Sequence, residues 1–153
     1  MFSGNEANYQ ATTISNDGFW PDIAIADFER RGVVPADVDP SAVAGAVLAA
    51  VAEINPLLDA RKDEWLAQGY KRAQDVPGPS LAPGINQTTE LYLQAVFARA
   101  KADMITEWNT ATQRAAANNQ AVSARETRDS LLANSQQRIR TLKLRGRLGA
   151  SLI

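Results

Sequence analysis

Apolar residues recur at helical spacing over most of the chain, and two long series stand out. The clearest follows one face of a helix beginning near Thr88-Thr89-Glu90: Leu93, Phe97, Ala100, Met104 and Trp108. An earlier series comprises Val43, Val47, Val51 (or Ala50), Ile54, Leu58 and Trp65. Asp39 is a good N-cap for this second helix, with Pro40 at its first position. Pro56 lies inside the pattern and is expected to kink or split the helix.

Weaker patterns predict the remaining elements. Pro21-Asp22 opens a short helix to about Arg31, after a turn at Asn16-Asp17-Gly18. A third long helix is predicted from about Val122 to Ile139, with Leu131, Leu132, Ser135 and Ile139 turned inward. The proline-rich stretch from Val76 to Gln87 predicts a stiff, extended linker. Residues 110–120 are either frayed helix or loop.

The C-terminal segment alternates polar and apolar residues over Thr141–Arg145, which is typical of an extended strand. A single strand needs another chain to pair with, and a disordered tail is the alternative. The predicted fold class is therefore all-α: a helical bundle of one short and three long helices. We place a flexible N-terminal arm at 1–15, the bundle at 16–139 and a basic, apolar docking tail at 140–153.

The run Ala42–Ala52 is apolar all the way around a helix. Its eleven residues are too few to cross a bilayer, which takes about 20 residues, so no membrane partner is expected. A small chain can cover only one side of such a helix with its own residues, so a neighbouring subunit is the easiest cover for the other apolar side. Alanine is also stable on a surface, so a solvent-exposed side remains the alternative.

Composition excludes several classes of enzyme. The 153 residues suit one domain and include no cysteine and no histidine. Ser-His-Asp catalysis and any Cys/His zinc site are therefore impossible. No glycine-rich phosphate loop is present, and the polar N-terminus does not have the pattern of a signal peptide. The acidic groups on the helices match ordinary mixed-charge surface. We expect neither catalytic residues, nor a metal site, nor a cofactor.

Charge is distributed unevenly along the chain. Residues 1–113 carry 8 basic and 15 acidic side chains, whereas residues 114–153 carry 8 basic and 2 acidic. Five of the basic residues lie between Arg138 and Arg147. Such a segment favours a negatively charged partner, which can be protein, nucleic acid or the acidic part of another copy. A solvated tail that maintains solubility is the alternative.

One stretch is more specific than these patterns. Residues 16–30, Asn-Asp-Gly-Phe-Trp-Pro-Asp-Ile-Ala-Ile-Ala-Asp-Phe-Glu-Arg, resemble a segment of the head-completion proteins of contractile-tailed bacteriophages, the gene L product family. Ile25 and Glu29-Arg30 depart mildly from the leucine and arginine common in that family. The order of the later helices also resembles the family, over about residues 14–153.

The resemblance implies a head–tail connector adaptor. Such proteins form a ring under the portal after DNA packaging, extend the DNA channel and provide a platform for tail attachment. The expected partners are the portal protein, neighbouring copies (in a dodecamer by resemblance) and a tail-terminator or stopper protein, with non-specific contact to channel DNA. The expected location is the virion neck, with assembly in the bacterial cytoplasm.

Two sets of residues are assigned roles on this basis. The candidates for portal docking lie in the C-terminal tail: Arg140, Leu142, Lys143, Leu144, Arg145, Arg147, Leu148 and Ile153. Packing only against an adjacent adaptor is the alternative for them. The candidates for packing within the bundle or the ring are Phe19, Trp20, Ile23, Phe28, Val43, Val47, Val51, Trp65, Phe97 and Trp108.

Two other functions compete with the adaptor. A small helical nucleic-acid-binding module would use the basic C-terminal segment, although that segment lacks interleaved aromatic residues and a recognition-helix motif. A transient assembly chaperone or scaffold would be absent from the finished particle, whereas an adaptor would remain.

Overall fold

The described part of the chain contains four α-helices, two small antiparallel sheets and a short 3₁₀ helix at Ala73–Asp75. The structure, a computed structural model, describes residues 9–32, 34, 38–112 and 117–150, with the side chains of all of these except 106–112, 117–126 and 145–150. The helices are α1 (Ile25–Gly32), α2 (Pro40–Ala67), α3 (Gln87–Thr112) and α4 (Ala117–Ala150). The strands are β1 (Thr13–Ile14), β2 (Ile23–Ala24), β3 (Ser80–Ala82) and β4 (Ile85–Asn86). The chain is thus mostly helical, as predicted, but it also contains sheets.

Helix α2 begins as the sequence predicts. The Asp39 carboxylate accepts a hydrogen bond from the Ser41 amide at 3.0 Å, and Pro40 is the first helical residue. The helix then continues through Pro56, so it is not split there. Ile54 and Leu58, on either side of the proline, are both buried and hold this part of α2 against the bundle.

Helix α4 runs back along α3. The Ser135 hydroxyl donates to the Ala95 carbonyl at 2.8 Å, and the Arg138 guanidinium donates to Gln94 at 2.8 Å. Ser135 and Ile139 are buried, whereas Leu131 and Leu132 are half-buried. The pairing of residues 94–95 with 135–138 makes α3 and α4 an antiparallel pair. Of the stretch 110–120, residues 110–112 end α3 and 117–120 begin α4.

The prediction of a strand over Thr141–Arg145 is wrong. These residues belong to α4, which continues to Ala150. Leu142 is fully buried, one helical turn after the buried Ile139. A five-residue alternation fits a strand, but here the helix can satisfy its own backbone hydrogen bonds and bury Leu142, whereas a lone strand would leave its backbone groups unpaired.

The first segment is not the simple helix that Pro21-Asp22 predicts. β1 and β2 pair antiparallel, with Thr13 opposite Ala24 and Ile14 opposite Ile23, and α1 begins only at Ile25. Ile14 is buried. The end of the predicted flexible arm therefore forms a strand, while residues 1–8 lie outside the described residues.

The proline-rich segment contains a β-hairpin. β3 and β4 pair antiparallel across Pro83-Gly84, and the Gln87 amide donates to the Pro79 carbonyl at 2.8 Å. Asn86 is buried, and its side-chain amide donates to the carbonyls of Ala73 and Val76. These bonds fix the base of the hairpin, while Leu81 near its tip is 81% exposed.

Candidate interaction surfaces

Residues 16–30, the stretch that resembles the head-completion proteins, begin with a turn that the Asp17 side chain closes. The Asp17 carboxylate accepts hydrogen bonds from the amides of Phe19 (3.0 Å) and Trp20 (2.9 Å). Its other oxygen lies 3.0 Å from the Lys62 ammonium on α2. Gly18 has a φ of +90°, in the region that glycine adopts most easily. The turn is thereby fixed in shape and tied to α2.

These contacts also set the ionisation of Asp17. Partial burial disfavours the charged carboxylate, but the Trp20 amide, the Lys62 ammonium and the Phe19 amide together outweigh that effect. The pKa of Asp17 is consequently lower than its ordinary value. The carboxylate therefore remains charged well below neutral pH, which keeps the turn closed.

Three polar side chains next to this turn form a closed ring of hydrogen bonds. The Asn16 amide donates to the Tyr92 hydroxyl at 2.9 Å, that hydroxyl donates to the Asn55 carbonyl oxygen at 2.6 Å, and the Asn55 amide donates to Asn16 at 2.9 Å. Burial raises the pKa of the Tyr92 hydroxyl, so it stays protonated and able to donate. The ring joins the N-terminal turn, α2 and α3.

Aromatic rings continue from the turn into the core. Trp20 stacks on Tyr92 with 4.6 Å between ring centroids, and it meets Trp65 edge-on at 6.1 Å. Phe19 stacks against Trp65 at 6.0 Å. These rings are nearly inaccessible to solvent. The distinctive residues of the resembling stretch therefore pack within one chain.

Arg61 connects this aromatic cluster to the end of α4. Its guanidinium lies over the Trp65 ring, 4.1 Å from the centroid, and its Nε donates to the Leu142 carbonyl at 3.2 Å. Arg61 is only 7% exposed and also pairs with Glu64. A chain of contacts thus runs from the N-terminal turn through α2 to the turn of α4 that contains Leu142.

A groove of about 430 Å³ lies where α2 and α4 end side by side, and we call it the end surface. It is lined by Leu57, Ala60, Arg61, Glu64, Arg140, Lys143 and Leu144. Leu57 is 50% and Leu144 51% exposed, while Arg140 and Lys143 are exposed beside them. The end surface therefore combines apolar contact area with positive charge.

The structure brings together only part of the predicted docking set. Arg140, Lys143 and Leu144 share the end surface. Leu142 instead lies on the buried side of α4, where its side chain packs in the core and is inaccessible to a partner. Arg145, Arg147 and Leu148 are in α4, but their side chains lie outside the described residues, as does Ile153 entirely.

The predicted packing residues lie in the core of the chain where they are described. Nine of the ten are buried: Phe19, Trp20, Ile23, Phe28, Val43, Val47, Val51, Trp65 and Phe97. The tenth, Trp108, is in α3, and its side chain lies outside the described residues. Sequence reasoning missed Arg61, Asn16, Asn55 and Tyr92, whose partners are distant in sequence.

The described part of the chain contains no cluster of side chains suited to holding a metal ion. No group of three or more potential metal-ligating side chains occurs among those residues. By length and composition alone, helix α2 is apolar enough to cross a membrane, and 33% of its most apolar window is buried inside the chain. One face of α2 is buried in the chain, as in a core helix of a folded bundle; its residues are Val43, Val47, Ala50 and Ile54.

Comparison with known proteins identifies the family to which the chain is similar. Residues 14–153 match the family model described as phage head completion protein (GPL). The chain is also 32% identical over 143 residues to a probable head completion/stabilization protein of Haemophilus phage HP1 (strain HP1c1), covering 94% of this chain and 93% of that protein. No solved structure matches the chain significantly.

The class of protein is thus a structural component of a bacteriophage particle. The chain belongs to the phage head completion protein family. Membership implies a role in head assembly and association with other virion proteins.

Proposed function

We propose that this protein is a head–tail connector adaptor. It joins the portal after DNA packaging, forms a closed ring of copies that extends the DNA channel, and provides the platform to which a tail-terminator or stopper protein attaches. Its place is the neck of the virion, reached by assembly in the host cytoplasm. Non-specific contact with channel DNA is part of the same proposal.

The observation that carries the proposal is the end surface. Two half-exposed leucines, Leu57 and Leu144, adjoin the exposed cations Arg140 and Lys143. Apolar anchors beside charge are what a specific protein interface needs, because the apolar contacts supply affinity while the charges set orientation. In this proposal the end surface docks to an acidic face of the portal, and the helical positions 145–150 extend that contact.

The internal bracing of the end surface supports this role. Arg61 ties α2 to α4, and Trp65 ties Arg61 to the aromatic cluster of the N-terminal turn. A docking surface that is already held in its bound shape loses less conformational entropy on binding. The residues that resemble the family most closely thus act, in this proposal, by supporting the docking surface from within the chain.

A charge-reversal experiment tests the docking role. Arg140→Glu combined with Lys143→Glu should weaken binding to purified portal at least roughly tenfold, because both exposed cations lie in the proposed contact. The matched control reverses two exposed arginines outside the end surface, Arg72→Glu with Arg128→Glu, and should bind almost as wild type. Equal losses in both variants, or none in the first, would contradict docking through the end surface.

The basic surface also supports a second candidate, a nucleic-acid-binding module. The same two variants distinguish the candidates when they are titrated with duplex DNA. A module would bind DNA tightly, with an affinity that falls steeply as salt is added, and the Arg140/Lys143 reversal would abolish it. An adaptor would show weak DNA binding beside strong binding to the portal.

A further inference from the structure

One side of α2 is apolar and exposed, and none of the other described residues covers it. We call it the α2 edge, and it consists of Gly45, Leu48, Ala49, Ala52 and Pro56. Leu48 is 56% exposed, and only 33% of the most apolar window of α2 is buried. Asp59 and Asp63 continue the same face one to two turns further along, because they follow Ala52 and Pro56 by seven residues.

Gly45 shows that the α2 edge suits close approach by another element. A Cβ added there would meet no atom within 4 Å, so packing within the chain does not require glycine. Glycine inside a helix costs about 0.5–1 kcal/mol relative to alanine. Its presence beside Ala49 and Ala52 gives a smooth strip on which another helix could pack closely.

A complementary groove, which we call the side groove, lies between α1, α3 and α4. It measures about 250 Å³ and has an apolar floor of Phe28, Phe97, Ala98 and Leu131. Its rim is basic: Arg31, Lys101 and Arg138. Arg31 is paired with Glu90 and with Asp27 on its own helix, whereas Lys101 has no ion pair among the described residues.

The α2 edge and the side groove lie on opposite sides of the α2–α3 layer. Tyr92 faces α2 through its bond to Asn55, and Lys101 follows Tyr92 by nine residues, which is half a turn around α3. Gly45 precedes the buried Ile54 by nine residues, which places the α2 edge half a turn from the packed side of α2. Each surface therefore points away from the other.

We infer that the α2 edge of one copy docks into the side groove of the next copy. The charges match, because Asp59 and Asp63 at the end of the edge face outward without ion pairs among the described residues, and the groove rim is basic. Two unlike, complementary surfaces on opposite sides give a head-to-tail contact, which closes into a ring when the rotation allows it. This inference rests on the proposed adaptor function and specifies the contact between copies.

Zero-length crosslinking tests the contact directly. A carbodiimide joins a carboxylate to a lysine amine that touches it, and within one chain Asp59 and Asp63 lie on the opposite side from Lys101. Particles containing an equal mixture of ¹⁴N- and ¹⁵N-labelled protein should yield mixed-label peptides joining Asp59 or Asp63 to Lys101. Lys101→Gln should abolish these peptides, whereas Lys71→Gln, at an exposed lysine outside both surfaces, should preserve them.

Charge reversal provides an independent readout. Asp59→Lys with Asp63→Lys, and separately Lys101→Glu, should each reduce the amount of protein per particle roughly tenfold. The combined variant should recover most of it, because every copy then presents both reversed surfaces. Circular dichroism of each isolated variant verifies that it is folded, and Asp75→Lys is the control at an exposed acid elsewhere.

The outcomes separate the two proposals. If the particle contains the protein but copies crosslink only through other residues, or if the combined variant recovers nothing, the edge-to-groove contact is wrong while the adaptor function stands. If the protein is absent from finished particles, both are wrong. Flotation of the isolated protein with phosphatidylcholine vesicles through α2 would also overturn the contact, because a lipid surface would then cover the edge.

Discussion

At the scale of single residues, Asp17 determines the shape of the N-terminal turn. Replacing it with alanine removes two hydrogen bonds to backbone amides and the contact with Lys62. We expect Asp17→Ala to lower the free energy of unfolding by about 1–2 kcal/mol, measured by urea denaturation at pH 7. Lys62→Met, which retains most of the aliphatic stem, should cost less than about 1 kcal/mol. Equal losses would show that the ion pair, and not the amide bonds, dominates.

The lowered pKa of Asp17 predicts a pH dependence with a definite sign. The unfolded carboxyl has a pKa of about 3.9, and the folded one lies lower. The stabilisation from Asp17 is therefore fully present above about pH 4 to 5 and is lost as the pH falls through the folded pKa. The difference in unfolding free energy between wild type and Asp17→Ala should therefore narrow as the pH falls below about 4. A difference that is constant down to pH 2 would contradict this account.

Tyr92 is the centre of the buried hydrogen-bond ring. Tyr92→Phe leaves the Asn16 amide with only the Pro21 carbonyl as an acceptor and removes the donor to the Asn55 carbonyl oxygen, so we expect a loss of about 1–3 kcal/mol in thermal or urea unfolding. Tyr70→Phe is the matched control, because Tyr70 is only half-buried, and it should change stability by less than about 0.5 kcal/mol. Comparable effects of both changes would mean that the ring contributes little.

The sequence predicted part of this residue-scale picture. The large aromatic side chains were expected to pack, and Asp17-Gly18 was expected to form a turn. The ring of Asn16, Asn55 and Tyr92 was not predicted, because its members lie 39 and 76 residues apart along the chain and each is common on protein surfaces. Only the fold brings these polar groups together.

At the scale of the secondary-structure elements, replacing Gly45 and Gly18 with alanine should change the stability of the protein in opposite directions. Gly45 is inside α2 in open space, so Gly45→Ala should raise the stability of the isolated protein by about 0.5–1 kcal/mol. Gly18 has a φ of +90°, which alanine rarely adopts, so Gly18→Ala should lower stability by about 1 kcal/mol or more. Thermal unfolding followed by circular dichroism distinguishes the two signs, and the same sign for both would refute the assigned backbone conformations.

Two leucines on different sides of α4, only two residues apart, should separate the effects on folding from the effects on docking. Leu142 is fully buried, and Leu142→Ala should cost about 2–5 kcal/mol of stability. Leu144 is 51% exposed, so Leu144→Ala should leave stability within about 0.5 kcal/mol while weakening portal binding. The measurements are urea denaturation and portal binding on the same preparations. A stable Leu142→Ala, or a Leu144→Ala that binds normally, would contradict the assignment of these two sides of α4.

The elements show where sequence patterns suffice and where they fail. Helices α2 and α3 were predicted because many apolar residues keep one period, and the Asp39 cap identified where α2 begins. The end of α4 was mistaken for a strand because five residues are too few to separate period 2 from helical spacing. The contact of Arg61 with the Leu142 carbonyl, which supports that helix, joins residues 81 apart and leaves no local signal.

At the scale of the whole molecule, the described residues form a braced interior, and three of the surfaces around it differ in character. The end surface is basic and apolar, the α2 edge is apolar and then acidic, and the side groove is apolar with a basic rim. The acidic end of the α2 edge and two of the three rim cations of the side groove, Arg31 and Lys101, come from the same N-terminal part of the sequence, while Arg138 comes from the basic C-terminal part. A protein built in this way is suited to assembly with other chains, in agreement with its membership of the head completion family.

The measurement that tests the adaptor function most directly is the mass of the purified protein, alone and mixed with its portal, by light scattering after size exclusion. We expect that the mixture contains a defined complex in which several copies have joined each portal, and that the Arg140/Lys143 reversal abolishes this complex. A protein that leaves the portal unchanged in mass, yet binds duplex DNA, would contradict the adaptor function and favour the nucleic-acid-binding module.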